Sequence, residues 1–141
     1  VDSGNFLFNY YIRNRIRFIH NPEKKLASNN FYILNIPENE ALMAALLNSS
    51  FTRLGVLKEG RNQGSGLKKI QVYEFEDVPI INPDKFDKSE KSRLEQLGRK
   101  LLSDEFDSEK IIKEIDELLL SKYNNFTGQS VSLEELKKNL E

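Results

Sequence analysis

The sequence predicts an α+β fold: a small mixed or antiparallel sheet with a central helix, followed by a C-terminal segment of two to three helices. Three observations lead there. Residues 10–18, 31–36 and 68–75 are rich in β-branched and aromatic side chains, and the first and last of these stretches alternate with period two. Residues 41–47 are a dense run of strong helix formers. After Pro83, apolar residues recur at helical spacing behind acidic or hydroxyl caps. The composition shift near Asn82-Pro83-Asp84 divides the chain into an α+β domain, 1–83, and a helical segment, 84–141. The helical segment is expected to pack on the first part or on a separate catalytic domain.

In chain order, Val1 to Asn5 reads as a frayed start. From Tyr10 to Phe18 the pattern is one strand, with Tyr10, Ile12, Ile16 and Phe18 on one face and Arg13, Arg15 and Arg17 on the other. The three arginines are either an ordinary exposed face or a cationic stripe suited to phosphates. His20, before the turn at Asn21-Pro22, reads as a strand-end residue, with a catalytic histidine the less favoured alternative because no Ser or Cys constellation matches it. Phe31 to Ile36 is a further strand, ended by Pro37. Asn39 is the N-cap of a helix through Ala41–Leu47, with Leu42, Leu46 and Leu47 on one side, Phe51 and Leu54 continuing that side, and Asn48, Ser49 and Ser50 ending the helix. Lys58 to Lys69 is a loop, because Gly60, Gly64 and Gly66 fall within seven residues. A strand follows over 68–75, and Pro79 makes Val78–Ile81 an edge or extended piece. Asp87 with Glu90 forms a capping box ahead of the stripe Leu94, Leu97, Leu101, Leu102. Asp107 caps a helix with Ile111, Ile115, Leu118 and Leu119 on one face, ended by Asn124-Asn125. Ser132, with Glu135, caps a last helix.

Composition removes several function classes. The chain has no cysteine and one histidine, which argues against disulfides, thiolate metal sites and the usual zinc sites. No apolar run approaches a membrane span, and the expectation is a cytoplasmic protein with no membrane contact. No nucleophile–base pair or carboxylate cluster converges, so no catalytic and no metal-binding residue is expected. Gly60-x-x-x-Gly64-x-Gly66 lacks the Lys-Ser/Thr ending of a phosphate-binding P-loop and follows a helix.

Charge is distributed unevenly. Residues 1–86 carry 11 Lys/Arg and 9 Asp/Glu, net +2, whereas residues 87–141 carry 10 and 13, net -3. Between Arg53 and Lys69 five cations meet one acid, Glu59, a local +4 on a chain of net charge -1. Such a loop is either a solvated hairpin tip or the docking point for a specific anionic partner. Arg61, Asn62, Gln63 and Ser65 are side chains able to read base edges. Arg53, Lys58, Lys68 and Lys69, with Arg13, Arg15 and Arg17, are candidates for phosphate contacts.

Phe31-Tyr32-Ile33-Leu34, followed by Leu46 to Arg53 and by Gly64 to Pro83, resembles the target-recognition domains of restriction-modification proteins. The pattern is most similar to the C-terminal specificity region of prokaryotic adenine-specific DNA methyltransferases of the TaqI-like and type IIG kinds. It is also similar to the recognition domains of type I specificity subunits. Lys113 to Leu118, running on to Tyr123, looks like the helix that follows in these methyltransferases. The resemblance covers residues 10 to 125 and implies a parent enzyme that moves a methyl group from S-adenosylmethionine to the amino group of adenine. The catalytic Asn/Asp-Pro-Pro-Tyr/Phe motif is not matched by Asn21-Pro22-Glu23 or Asn82-Pro83-Asp84, and the glycine-rich cofactor motif is missing. The expectation is therefore a recognition module without its own cofactor, whose partners are double-stranded DNA and the parent's catalytic domain. The competing expectation is a non-catalytic protein-interaction adaptor that uses the leucine stripes of 87–140.

Overall fold

The structure is a computed structural model, and it describes residues 5–9, 11–12, 18–20, 31–36, 39–62, 68–70, 74, 76, 78, 81–103 and 105–138. The expected α+β architecture is present, built from two small antiparallel sheets and a set of helices. In the first sheet β1 (Phe6–Asn9) lies between β3 (Phe18–His20) and β4 (Phe31–Leu34). In the second, β6 (Lys68–Lys69) lies between β2 (Tyr11–Ile12) and β5 (Arg61–Asn62).

The expected single strand over 10–18 is thus two strands in different sheets, since Tyr11-Ile12 pairs with β6 and Phe18 with β1. A local period of two shows that a strand exists but not which partner it meets. The frayed start is also corrected at Asn5, which is buried. Its side chain accepts from Ile36 N at 2.8 Å and donates to Ile36 O at 2.6 Å, which extends the β1–β4 ladder by a side-chain rung. Phe8 faces Phe18 across β1 and β3, their rings stacked with centroids 4.7 Å apart.

The helix predicted at 41–47 is α1 (Glu40–Leu47). Asn39 caps it from the left-handed region, φ 50°, and accepts from Leu42 N. Asparagine tolerates that conformation better than most residues. Leu42, Ala44, Ala45, Leu46 and Leu47 are all buried, because α1 is covered on more than one side. The expected common face of its leucines divides accordingly. Leu47 and Ala44 meet Phe6, Phe8, Phe18, Val56 and Ile70 over the sheet. Leu42, Ala45 and Leu46 meet Leu94, Leu97, Ile111, Ile115 and Leu119 of the C-terminal helices.

Those helices are α3 (Lys88–Leu102) and α4 (Ser108–Thr127), with a short α5 (Leu133–Lys138) behind them. The capping box predicted for α3 is present, with Asp87 accepting from Glu90 N at 2.8 Å and Glu90 accepting from Asp87 N at 2.9 Å. Asp107 caps α4 as expected. Asn124-Asn125 does not end α4. The helix runs on to Thr127 and stops at Gly128 in the left-handed conformation, φ 74°. The Asn124 side chain instead folds the chain back, donating to Val131 O and accepting from Val131 N. α3 crosses α1 so closely that a Cβ on Gly98 would stand 1.7 Å from the carbonyl oxygen of Ala41.

Candidate nucleic-acid interface

The cationic segment begins on a second helix, α2 (Ser50–Glu59), separated from α1 by Asn48 and by Ser49, whose backbone is extended. Asn48 and Ser49 end α1 as expected, but Ser50, expected to end it too, is the first residue of α2, a helix the local run of residues did not announce. Ser49 is the N-cap of α2, accepting from Thr52 N, and its hydroxyl donates to Leu46 O at 2.8 Å. The Thr52 hydroxyl donates to the same carbonyl at 2.7 Å, so the end of α1 is closed by the start of α2. Asn48 accepts from Phe18 N at 2.9 Å and donates to Phe18 O at 3.3 Å, occupying both backbone groups of that residue on the edge strand.

The fourth anchor comes from α4. Asp116 is 1% exposed, and its two oxygens accept from Ser50 N at 2.8 Å and from the Ser50 hydroxyl at 2.5 Å. A carboxylate thus sits on the first turn of α2, where the exposed N–H groups and the helix dipole favour negative charge. Burial nevertheless raises the Asp116 pKa above its ordinary 3.8; the hydrogen bonds from Ser50 and the charges of Lys137 and Arg53 oppose that rise without cancelling it. Asp116 is a charged group on an apolar helix face, with Ile112, Leu119 and Leu120 at helical spacing around it. That placement was the available sequence signal, and periodicity alone did not attach it to Ser50.

The expected loop over 58–69 is only partly a loop. Lys58 and Glu59 belong to the last turn of α2, whose end is marked by a bond from Gly60 N to Val56 O at 2.9 Å. Arg61-Asn62 and Lys68-Lys69 then pair as strands, in register Arg61↔Lys69 and Asn62↔Lys68. β2 adds the pairs Tyr11↔Lys69 and Ile12↔Lys68 on the other side of β6. The strand predicted for 68–75 stops early: Ile70 lies beyond it, and Glu74 and Glu76 have helical backbone. Ile70 is fully buried and its carbonyl accepts from the Tyr32 hydroxyl at 2.8 Å, which fixes the exit of the paired segment to β4.

The structure therefore brings together Arg61, Asn62, Lys68 and Lys69, with Lys58 one turn away at the end of α2. Lys58 is exposed, whereas Arg53 is half-buried with its charge acting on Asp116. Gln63, Ser65, Arg13, Arg15 and Arg17 lie outside the described residues. Among the described residues no group of His, Asp or Glu is arranged to hold a metal ion. None of their helices is long and apolar enough to cross a membrane.

The arrangement is that of a small α+β module in which a cationic strand pair leaves one helix and is anchored by buried polar contacts to the rest. A family model of the C-terminal domain of the type II methyltransferase M.Eco57I matches residues 1–120. The chain belongs to that family, and so is a C-terminal domain of a restriction-modification methyltransferase. No curated protein and no solved structure matches it.

Proposed function

We propose that this chain is the DNA target-recognition module of an adenine-specific methyltransferase of a restriction-modification system, and that it positions duplex DNA for a catalytic domain elsewhere in the protein. The observation that carries this reading is the register of the cationic segment. Arg61 is paired with Lys69 at facing positions, and Asn62 with Lys68. Like charges at partnered strand positions repel unless a counter-charge is near, and a phosphate backbone is such a counter-charge. Arg61, Asn62, Gln63 and Ser65 are assigned to base edges, where Arg suits guanine and Asn or Gln suits adenine. Lys58, Lys68 and Lys69, with Arg13, Arg15, Arg17 and Arg53, are assigned to phosphates, which set position rather than sequence.

Methyl transfer is assigned to another part of the parent. In support of this, Asn82 accepts from Asp84 N at 2.9 Å and caps the short 3-10 turn Pro83–Lys85, a local structural role, and Asn21-Pro22-Glu23 lies outside the described residues. The cofactor, when bound, supplies the methyl group, and this chain's contribution is to hold the duplex.

The test is a gel shift with duplex DNA at low salt. Arg61→Ala is expected to weaken binding and relax sequence preference, and Lys68→Ala to weaken it uniformly. If both variants bind as the parent does, the assignment of the segment is wrong. A second reading, an adaptor for another protein, rests on one observation. Phe51, Ile81, Phe86, Leu119, Tyr123 and Phe126 line a cleft of about 420 Å³, and Phe126 is 84% exposed. Retention of a protein partner but not of heparin or DNA would favour it.

A further inference from the structure

The second half of the chain is acidic, but its acidity is not shared by α3. Lys88, Lys91, Arg93, Arg99 and Lys100 face only Glu90 and Glu95 along this helix, net +3, while the rest of residues 87–141 holds 5 cations and 11 acids. Leu94, Leu97 and Gly98 turn inward, so Lys88, Ser92, Gln96 and Arg99 fall on the opposite, exposed side. Arg93 and Lys100 flank that side. The one acid there, Glu95, is already engaged: it accepts from Asn39 Nδ2 at 2.8 Å and lies 4.0 Å from Arg99. The Arg99 side chain is 62% exposed, and Arg93 pairs with Glu114 at the surface. Exposed ion pairs of this kind contribute little and exchange readily for another anion.

We propose that the exposed face of α3 is a second, sequence-independent contact for the phosphate backbone of bound duplex DNA. This rests on the DNA-binding reading above and adds a surface that the reading did not contain. From Lys88 to Arg99 the helix rises roughly 16 Å, enough for its end cations to reach phosphates on both lips of a major groove about 12 Å wide. Between them stand a hydroxyl, Ser92, and an amide, Gln96, both able to donate to phosphate oxygens without reading a base. Among the residues of α3 itself, Glu95 is the one carboxylate on that face, while Glu114 of α4, paired with Arg93, and Asp84, 3.9 Å from Lys91, stand at its flanks.

The experiment is fluorescence anisotropy of the 141-residue chain on a mixed-sequence duplex, titrated over a range of NaCl concentrations. Lys88→Gln/Arg99→Gln is expected to lower the slope of log K against log salt by about 2, and to weaken binding roughly tenfold near 0.1 M salt. Lys110→Gln/Lys113→Gln, an equal charge change at exposed sites on α4, is the control and is expected to leave the slope near that of the parent. If the parent binds and the two double variants behave alike, the α3 contact is overturned while the DNA-binding reading stands. If the parent does not bind at all, that reading falls and takes this one with it. Circular dichroism checks that the variants fold; should the double variant unfold, Arg99→Gln alone is expected to lower the slope by about 1, and an unchanged slope overturns the contact.

Discussion

Removing the Asp116 carboxylate takes away the acceptors that two buried donors, Ser50 N and the Ser50 hydroxyl, have among the described residues. Each buried donor left unsatisfied costs about 1–3 kcal/mol. The carboxylate is itself disfavoured by burial, since its pKa is raised, and its loss returns part of that cost. Asp116→Ala is therefore expected to destabilise the fold by roughly 2–3 kcal/mol. Asp116→Asn keeps an oxygen for Ser50 N and lets the Ser50 hydroxyl turn to accept from the new amide, so its cost is expected to be about 1 kcal/mol or less. The pH dependence has a definite sign. The folded chain holds the Asp116 proton more tightly than the unfolded chain does. Its contribution to stability is then fully present below about 3.8 and is lost as pH rises through the higher folded value. The parent's stability relative to Asp116→Asn should decline across that window and be flat above it. Urea unfolding followed by circular dichroism, at a series of pH values, measures both quantities. Asp116→Ala within about 0.5 kcal/mol of the parent, or a parent advantage that grows with pH, would refute the account of α2 capped by α4.

Three further outcomes follow from the geometry. Gly98→Ala drives a methyl into the Ala41 carbonyl at 1.7 Å and must separate α1 from α3, so a loss of roughly 3 kcal/mol or more is expected by thermal unfolding, against little change for exposed Ser92→Ala. Asp87→Ala removes the capping box of α3 and is expected to cost about 1 kcal/mol in the same assay. Gly128→Ala meets no atom within 4 Å but must adopt φ 74°, so about 1–2 kcal/mol is expected from backbone conformation alone, read as fraying at the end of α4 by amide exchange.

The first helix, the helices of the second half and their starts were legible because the information is local, whereas α2 and its Ser49 cap were not read as a separate helix. Asp87 and Asp107 sit one residue before the turns they cap, and Leu94, Leu97, Ile111, Ile115 and Leu119 repeat at the helical period on the faces they bury. The α+β class and the concentration of charge before Lys69 were equally legible, since neither depends on who meets whom. Strand partners were not. Tyr11-Ile12 and Phe18 have the same alternation and joined different sheets, and β6 ends before Ile70, which enters the core. Helix ends misled where a side chain had another use, as at Asn124.

The sequence by itself determined that this protein has a helical second half, a β-rich first half and a cationic stretch between them, because propensity, capping and charge act over a few residues. Only the tertiary structure decided that Ser50 is held by Asp116, 66 residues away, and that Gly98 must be glycine for two helices to touch. Such contacts depend on which segments become neighbours, and that is fixed by burying the whole core at once rather than by any local run of residues.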